Sequence, residues 1–320
     1  MFEKLSKSAV SATVLVAAGV VAVTAAPASA ASAPLCDARI AVHFDLAAGQ
    51  TPENIALSPG GAFVTFAEGR QIAEVSPGGT IRVLATLPKP ADGGVHTPVL
   101  GFPLTVGITR AGDGTLYFLY ATGTSDLTGV WRLRPGGRPQ RIAALPADGL
   151  PNGLALDPRS GTLYVTDSVL GTIWRVPVTG GVPTAWSTAP ELAAGGFLGV
   201  NGLKLRDGAI WATNLDQGTV LRIPIRRDGG AGEVRTVATG LTGIDDFAFT
   251  GRGDQLLAAL DGPSEVALVQ PDGRHSTVLT AADGLQNPTS VAVRGSTVYV
   301  LSAAYVTAED PNLVVAHLGR

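Results

Sequence analysis

Four polar residues recur at matched places along this chain of 320 residues: Glu53, Asn152, Asn201 and Asp245. They open the similar stretches PENIALSPGGAFVTF, PNGLALDPRSGTLYVTD, VNGLKLRDGAIWATN and IDDFAFTGRGDQLLAAL. Two more copies, VGITRAGDGTLYFLY and PTSVAVRGSTVYVLS, put Val106 and Thr289 at the same point, so six equivalent positions follow one another at 53, 46, 49, 44 and 44 residues. If these positions meet in space, two carboxylates and two carboxamides share one small volume, where unpaired acids repel and are costly to desolvate. An oxygen-seeking divalent cation is the natural partner. Glu53, Asn201 and Asp245 offer oxygen without thiolate or imidazole, which suits Ca²⁺ first, with Mg²⁺, Mn²⁺ or Zn²⁺ as alternatives. A local reading stays open, in which the Asn-Gly pairs only make turns and the acids only accept backbone amides.

What must position these residues is a repeat near 45 residues, the length of one four-stranded propeller blade. In the third copy, residues 154–156, 162–166, 172–176 and 183–186 read as four successive strands. The hairpin after the third strand is marked each time, as SPGG, RPGG, VTGG, RDGG and QPDG, where Gly supplies positive φ and Pro or Asp starts the turn. The last copy has three strands, and the segment RIAVHFDL at residues 39–46 has no blade of its own. The expected fold is therefore all-β, a six-bladed β-propeller of four-stranded antiparallel blades whose last blade is closed by an N-terminal strand. A sandwich would not explain the joint return of inner-strand motif and turn. In a propeller the residue just before each innermost strand lies at one mouth of the central channel, with Gly153 and Gly202 letting the backbone bend there.

The first thirty residues stand apart. Lys4 and Lys7 precede an apolar, small-residue run over 9–26, and Ala28-Ser29-Ala30 is an A-x-A cleavage site. Residues 1–30 read as a secretory signal peptide, 31–37 as a flexible N-terminus and 38–320 as one propeller domain, so the expected location is secreted. Cleavage removes two Lys and one Glu and moves the formal net charge from -3 to -4, which gives no reason to expect nucleic acid or anionic membrane as a partner. Cys36 is the single cysteine, so no internal disulfide is available and stability must come from the core. A monomer acting on a small molecule is expected.

The stretches PNGLALDPRSGTLYVTDS and VNGLKLRDGAIWATN, in a six-copy chain with a blade-one Glu, resemble the gluconolactonase or regucalcin (senescence marker protein) family of six-bladed propellers. The resemblance spans the whole mature chain. It implies that Glu53, Asn201 and Asp245 hold one divalent cation and that Asn152 contacts substrate. The chemistry it implies is lactone hydrolysis, with Asp245 orienting or deprotonating the attacking water. Whether Asp245 or its neighbour Asp246 faces the channel is left open by the residues alone.

The longest insertion, residues 87–105, enters blade two on the ring's face and could form a lid bringing His96 or Phe102 over the site as a substrate contact. Asp167, Asn214, Asp216 and Asp261 follow second strands on that face and are weaker candidates, since Asp and Asn also serve turns locally. No phosphate loop, serine nucleophile elbow or Cys/His metal spacing is present. The expected function is a metal-dependent hydrolase of a lactone or related cyclic ester. The alternatives are a non-catalytic propeller that binds protein or glycan around a structural cation, and a lyase on the same scaffold.

Overall fold

A computed structural model describes residues 34–319, and the expected signal peptide lies outside the described residues. The chain forms six four-stranded antiparallel sheets. Within each of the first five the strands are consecutive, as in blade three: Pro151–Asp157, Thr162–Asp167, Thr172–Pro177 and Thr184–Ser187. The first strand of every blade touches the first strand of the next, and that of blade six, Pro288–Arg294, touches that of blade one, Pro52–Ser58. Six first strands therefore line one axis, as the repeat requires. Among the described residues no helix is long and apolar enough to cross a membrane.

Closure comes from the N-terminal strand. Leu35–His43 pairs antiparallel with Asn312–Leu318 as the outer strand of blade six, from Leu35 opposite Leu318 to His43 opposite Asn312. The strand begins four residues before the expected Arg39 and ends at His43, so Leu35 and Cys36 are paired chain, with the exposed Cys36 opposite His317, and Asp37 falls in a register break. The cause is apolar. Leu35 is 6% exposed and belongs to the cluster between blades five and six with Leu257, Val266, Val298 and Val314, an anchor that the weak alternation of LCDAR does not announce.

The core lies between neighbouring blades rather than at a single centre. Phe44, Val64 and Phe66 pack with Leu301 and Leu313 across the closure, where the rings of Phe44 and Phe66 meet edge to face at 5.0 Å. Ile173 and Trp186 of blade three pack with Leu203, Ile210 and Ile223 of blade four. Each sheet face thus buries its alternate residues against the next blade, and removing any blade edge would expose two faces.

The glycines after Asn152 and Asn201 act differently from the expectation. Neither has a positive φ. Instead, a Cβ on Gly153 would fall 2.3 Å from the Asn201 carbonyl oxygen, and one on Gly202 would fall 2.6 Å from Asp246 Oδ1 and 2.7 Å from the Asp245 carbonyl oxygen. Glycine is required there because adjacent inner strands approach more closely than any side chain permits.

The closure predicts a clear effect of truncation. A chain starting at residue 34 should elute as one compact species and melt in one transition, whereas one starting at Phe44 should melt at least 10 °C lower or self-associate through the exposed edge of Asn312–Leu318; size-exclusion chromatography and thermal melts check this.

Candidate functional site

Every inner strand carries a register break beside the axis. It falls between Pro52 and Ile55, Pro151 and Leu154, Val200 and Leu203, and Ile244 and Phe247, releasing residues 53–54, 152–153, 201–202 and 245–246 from the ladder. Shorter breaks lie between Val106 and Ile108 and between Pro288 and Ser290. Bulges of this kind re-aim side chains and are common next to active sites. Here they fall on five of the six positions that the repeat aligns; in blade two Val106 stays paired with Leu119 and the break falls on the next residue, Gly107.

Buried threonines of the second strands hold the bulges in place. The amides of Asn54, Gly153 and Gly202 donate to Oγ1 of Thr65, Thr166 and Thr213 at 3.0, 2.7 and 2.7 Å. Thr166 Oγ1 then donates to the Asn201 carbonyl of the next blade and Thr213 Oγ1 to the Asp245 carbonyl. Across the closure Thr289 Oγ1 donates to the Pro52 carbonyl at 2.9 Å, and the Gly107 amide donates to Asn54 Oδ1 at 2.6 Å. Hydrogen bonds therefore brace the ring between blades six and one, one and two, three and four, and four and five. These threonines were not singled out from the sequence, although FVTF, YVTD and WATN repeat one at the same place.

The polar ring residues are all buried: Glu53 is 7% exposed, Asn152 8%, Asn201 1% and Asp245 8%. Val106 and Thr289 close the other two positions. Glu53 Oε1 accepts a hydrogen bond from the Tyr305 hydroxyl at 2.7 Å. Burial pushes the Glu53 carboxyl up to about 7, opposed by that hydroxyl and reinforced by the charges of Asp261 and Asp246. Asp245 lies well above the ordinary carboxylate range, first through burial and then through the charges of Glu53, Asp261 and Asp246, with Lys204 acting in the opposite sense. The charge of Glu53 thus acts on Asp245 directly.

The two adjacent acids of blade five divide the work. Asp246 receives Lys204 Nζ on both carboxylate oxygens at 2.6 and 2.7 Å and the Ser290 hydroxyl at 2.8 Å, so its charge is satisfied inside the protein. The Asp245 carboxylate is shifted by burial and neighbouring charge alone, without a hydrogen bond. Among the described residues Asn201 Oδ1 is buried with no partner.

Asp261, a weak candidate from its turn, belongs with this group. Its Oδ1 is buried without a partner among the described residues, and burial raises its carboxyl to about 6. The other turn residues are consumed locally: Asp167 Oδ1 accepts the amides of Leu150, Val169 and Leu170, Asn214 bonds the carbonyls of Glu191 and Ala193, and Asp216 Oδ2 accepts three amides from residues 195–197. His96 shares no hydrogen bond with the ring. It is exposed on the insertion, with Nε2 at 2.8 Å from Asp92 Oδ2. The insertion reaches the site instead through Phe102, which stacks on Tyr305 at 5.9 Å and 30°. Tyr305, in the turn after the second strand of blade six, carries no motif that the sequence exposes.

Among the described residues no three His, Cys, Asp or Glu side chains close on one point, so a cation here would take two carboxylates, a carboxamide and solvent rather than a full protein cage. The donors fit such an ion. Among the described residues Asn201 Oδ1 is an orphaned oxygen, and no cation forms an ion pair with Glu53 or Asp245, whose carboxyls burial raises. On the far side of the ring the channel continues as a cavity of about 440 Å³ lined by Ile55, Ile108, Leu154, Leu203 and Lys204. A groove of about 420 Å³ between blades one and two, near Arg82 and Arg134, includes no ring residue.

No protein-family model and no curated protein matches the chain. Solved structures do. A calcium-binding protein, regucalcin, from Agrobacterium tumefaciens matches with a TM-score of 0.62 at 17% identity, covering 85% of this chain and 92% of its own. A gluconolactonase from Xanthomonas campestris matches at 0.60 and 15%, covering 90% and 96%. A virginiamycin B lyase from Staphylococcus aureus, in its inactive form with quinupristin, matches at 0.60 and 17%, covering 85% and 82%. The expected resemblance to gluconolactonase and regucalcin propellers holds as a likeness of fold across most of the chain.

Asp261 gives a pH signature for the metal-free protein. An unfolded Asp releases its proton near 4 and the folded Asp261 near 6, so between these values the folded state binds more protons and stability falls as pH rises. Asp261→Asn should therefore stabilise the metal-stripped protein at pH 7.5, by on the order of 1 kcal/mol or more, and lose that advantage at pH 4; melts at both pH values measure it.

Proposed function

We propose that the protein is a hydrolase of lactones or related cyclic esters, acting at the channel mouth with one divalent cation, as a monomer outside the cytoplasm. The observation that carries this reading is the buried neighbourhood of Glu53, Asp245 and Asp261, in which Lys204, the cation that acts on Asp245 among the described residues, is committed to Asp246. An all-oxygen donor set of Glu53, Asn201 and Asp245 suits Ca²⁺, then Mg²⁺ or Mn²⁺. When bound, such a cation supplies Lewis-acid polarisation of the lactone carbonyl.

The chain's own residues divide the remaining tasks. Asp245, whose carboxylate has no protein hydrogen bond, takes a proton from the attacking water. The Asn152 carboxamide, buried on the same ring, donates to a substrate oxygen. The Tyr305 hydroxyl keeps Glu53 oriented, and the Phe102–Tyr305 stack limits bulk water over the acids. The fold does not choose this chemistry by itself, because a lyase shares it at the same level of similarity.

Turnover of a small lactone panel with and without chelator tests the reading. Activity should vanish on chelation and return with Ca²⁺ or Mn²⁺. Asp245→Asn should lower kcat by about 10²–10⁴ with the fold intact. Asp246→Asn should instead destabilise by about 1–3 kcal/mol, less than a fully buried pair would, because the Lys204 side chain stays 33% exposed. Opening of the ring by elimination, read as an unsaturated product by mass spectrometry, would replace hydrolysis with lyase chemistry. No turnover with an unchanged melt after chelation would leave a binding propeller.

A further inference from the structure

The exposed apolar side chains of this molecule are not scattered. Among the described residues seven large hydrophobics are exposed, and five of them, Val95, Val99, Leu170, Phe197 and Val306, lie on loops at the ring's end of the propeller. Register places them there: Pro151 pairs with Asp167, Val200 with Asn214 and Pro288 with Ser302, so the turns after the second strands lie at the end that carries the ring. Val83 sits on an outer strand, and Val182, 84% exposed, sits in a hairpin at the opposite end.

Below these, Leu100, Phe102, Val169, Leu215 and Tyr305 are partly buried and all pack against one core cluster. They come from the insertion and from blades three, four and six. Tyr305 in turn bonds Glu53, so apolar surface runs from the exposed rim to the candidate site.

The loops that present these side chains are held rigidly. Asp167 fixes the amides of Val169 and Leu170 at 3.2 and 3.0 Å. Asp216 fixes the amide of Phe197 at 2.8 Å, and Asn287 Oδ1 fixes that of Val306 at 2.9 Å. The insertion is pinned where the Tyr120 hydroxyl donates to the Pro88 carbonyl at 2.6 Å, and where the His96 carbonyl sits so close to Gly123 that a Cβ there would fall 1.8 Å from it. Apolar groups held in place at a site mouth gain affinity without an ordering cost. The same hydrogen bonds remove Asp167, Asn214, Asp216 and Asn287 from service as partners for substrate hydroxyls.

We propose that the lactone taken by this site carries an apolar substituent, an alkyl or aryl chain of several carbons seated on the rim, rather than a ring of hydroxyls. This rests on the hydrolase reading above and names its substrate class. Burial of each added methylene on such a rim raises kcat/KM by up to about fourfold until the rim is spanned.

The test measures kcat/KM of the Ca²⁺-loaded protein on δ-lactones with alkyl substituents of zero to six carbons and on a polyhydroxylated δ-lactone of the sugar type. A rise with chain length to at least tenfold above the hydroxylated compound is expected. Phe197→Ser and Val306→Ser should flatten that rise, while Val83→Ser and Val182→Ser, away from the mouth, should leave it. Robust turnover that is flat with chain length, or highest on the hydroxylated lactone, overturns this proposal and leaves the hydrolase reading standing. Turnover of no lactone overturns both.

Discussion

Carboxylates cannot be gathered in a buried space without something to balance them, and this molecule gathers several around one axis. Lys204 balances Asp246, with two short contacts to its carboxylate. Among the described residues Glu53, Asp245 and Asp261 keep no such partner; burial shifts each of them upward, and neighbouring carboxylates add to the shift of Glu53 and Asp245. A chain that retained these groups for stability alone would lose by it, since apolar residues of similar volume would cost less. That imbalance is the premise of the proposed cation site.

The scaffold makes this crowding durable. Six inner strands meet only if the ring is closed, and closure depends on a strand drawn from the other end of the chain. Each bulge would be a weak point if left unpaired, but Thr65, Thr166 and Thr213 take up the freed amides, and two of them hand the bond on to the next blade. The Phe102–Tyr305 stack joins the longest insertion to the last blade, and the Tyr305 hydroxyl carries that contact to Glu53. Electrostatic strain at the centre is tolerated because the surrounding geometry over-determines it.

The architecture was readable in advance because its cause is periodic. Asn152, Asn201 and Asp245 stand at like places in like stretches, and the Gly-bearing hairpins mark the same strand each time. What did not show was contact between residues remote in sequence. Tyr305 reaches Glu53 across 252 positions, and nothing in SAAYVT announces it. Asp245 and Asp246 are indistinguishable until Lys204 and Ser290 are seen to hold the second one. Gly153 and Gly202 look like bends in the sequence, yet they serve to let neighbouring strands approach, a need that arises only when blades pack. His96 looked suited to a lid but found Asp92 within its own loop. Leu35 joined the sheet because a cluster between two blades could bury it.

The central claim is that the mouth has an unmet demand for one hard cation. Calorimetric titration of metal-stripped protein with Ca²⁺, repeated with Mn²⁺, measures this directly, with Glu53→Gln and Asn201→Leu alongside. The account predicts saturable binding at one ion per chain, abolished or weakened by at least tenfold in both variants. Absence of binding up to millimolar cation, or binding that both variants retain unchanged, would contradict it.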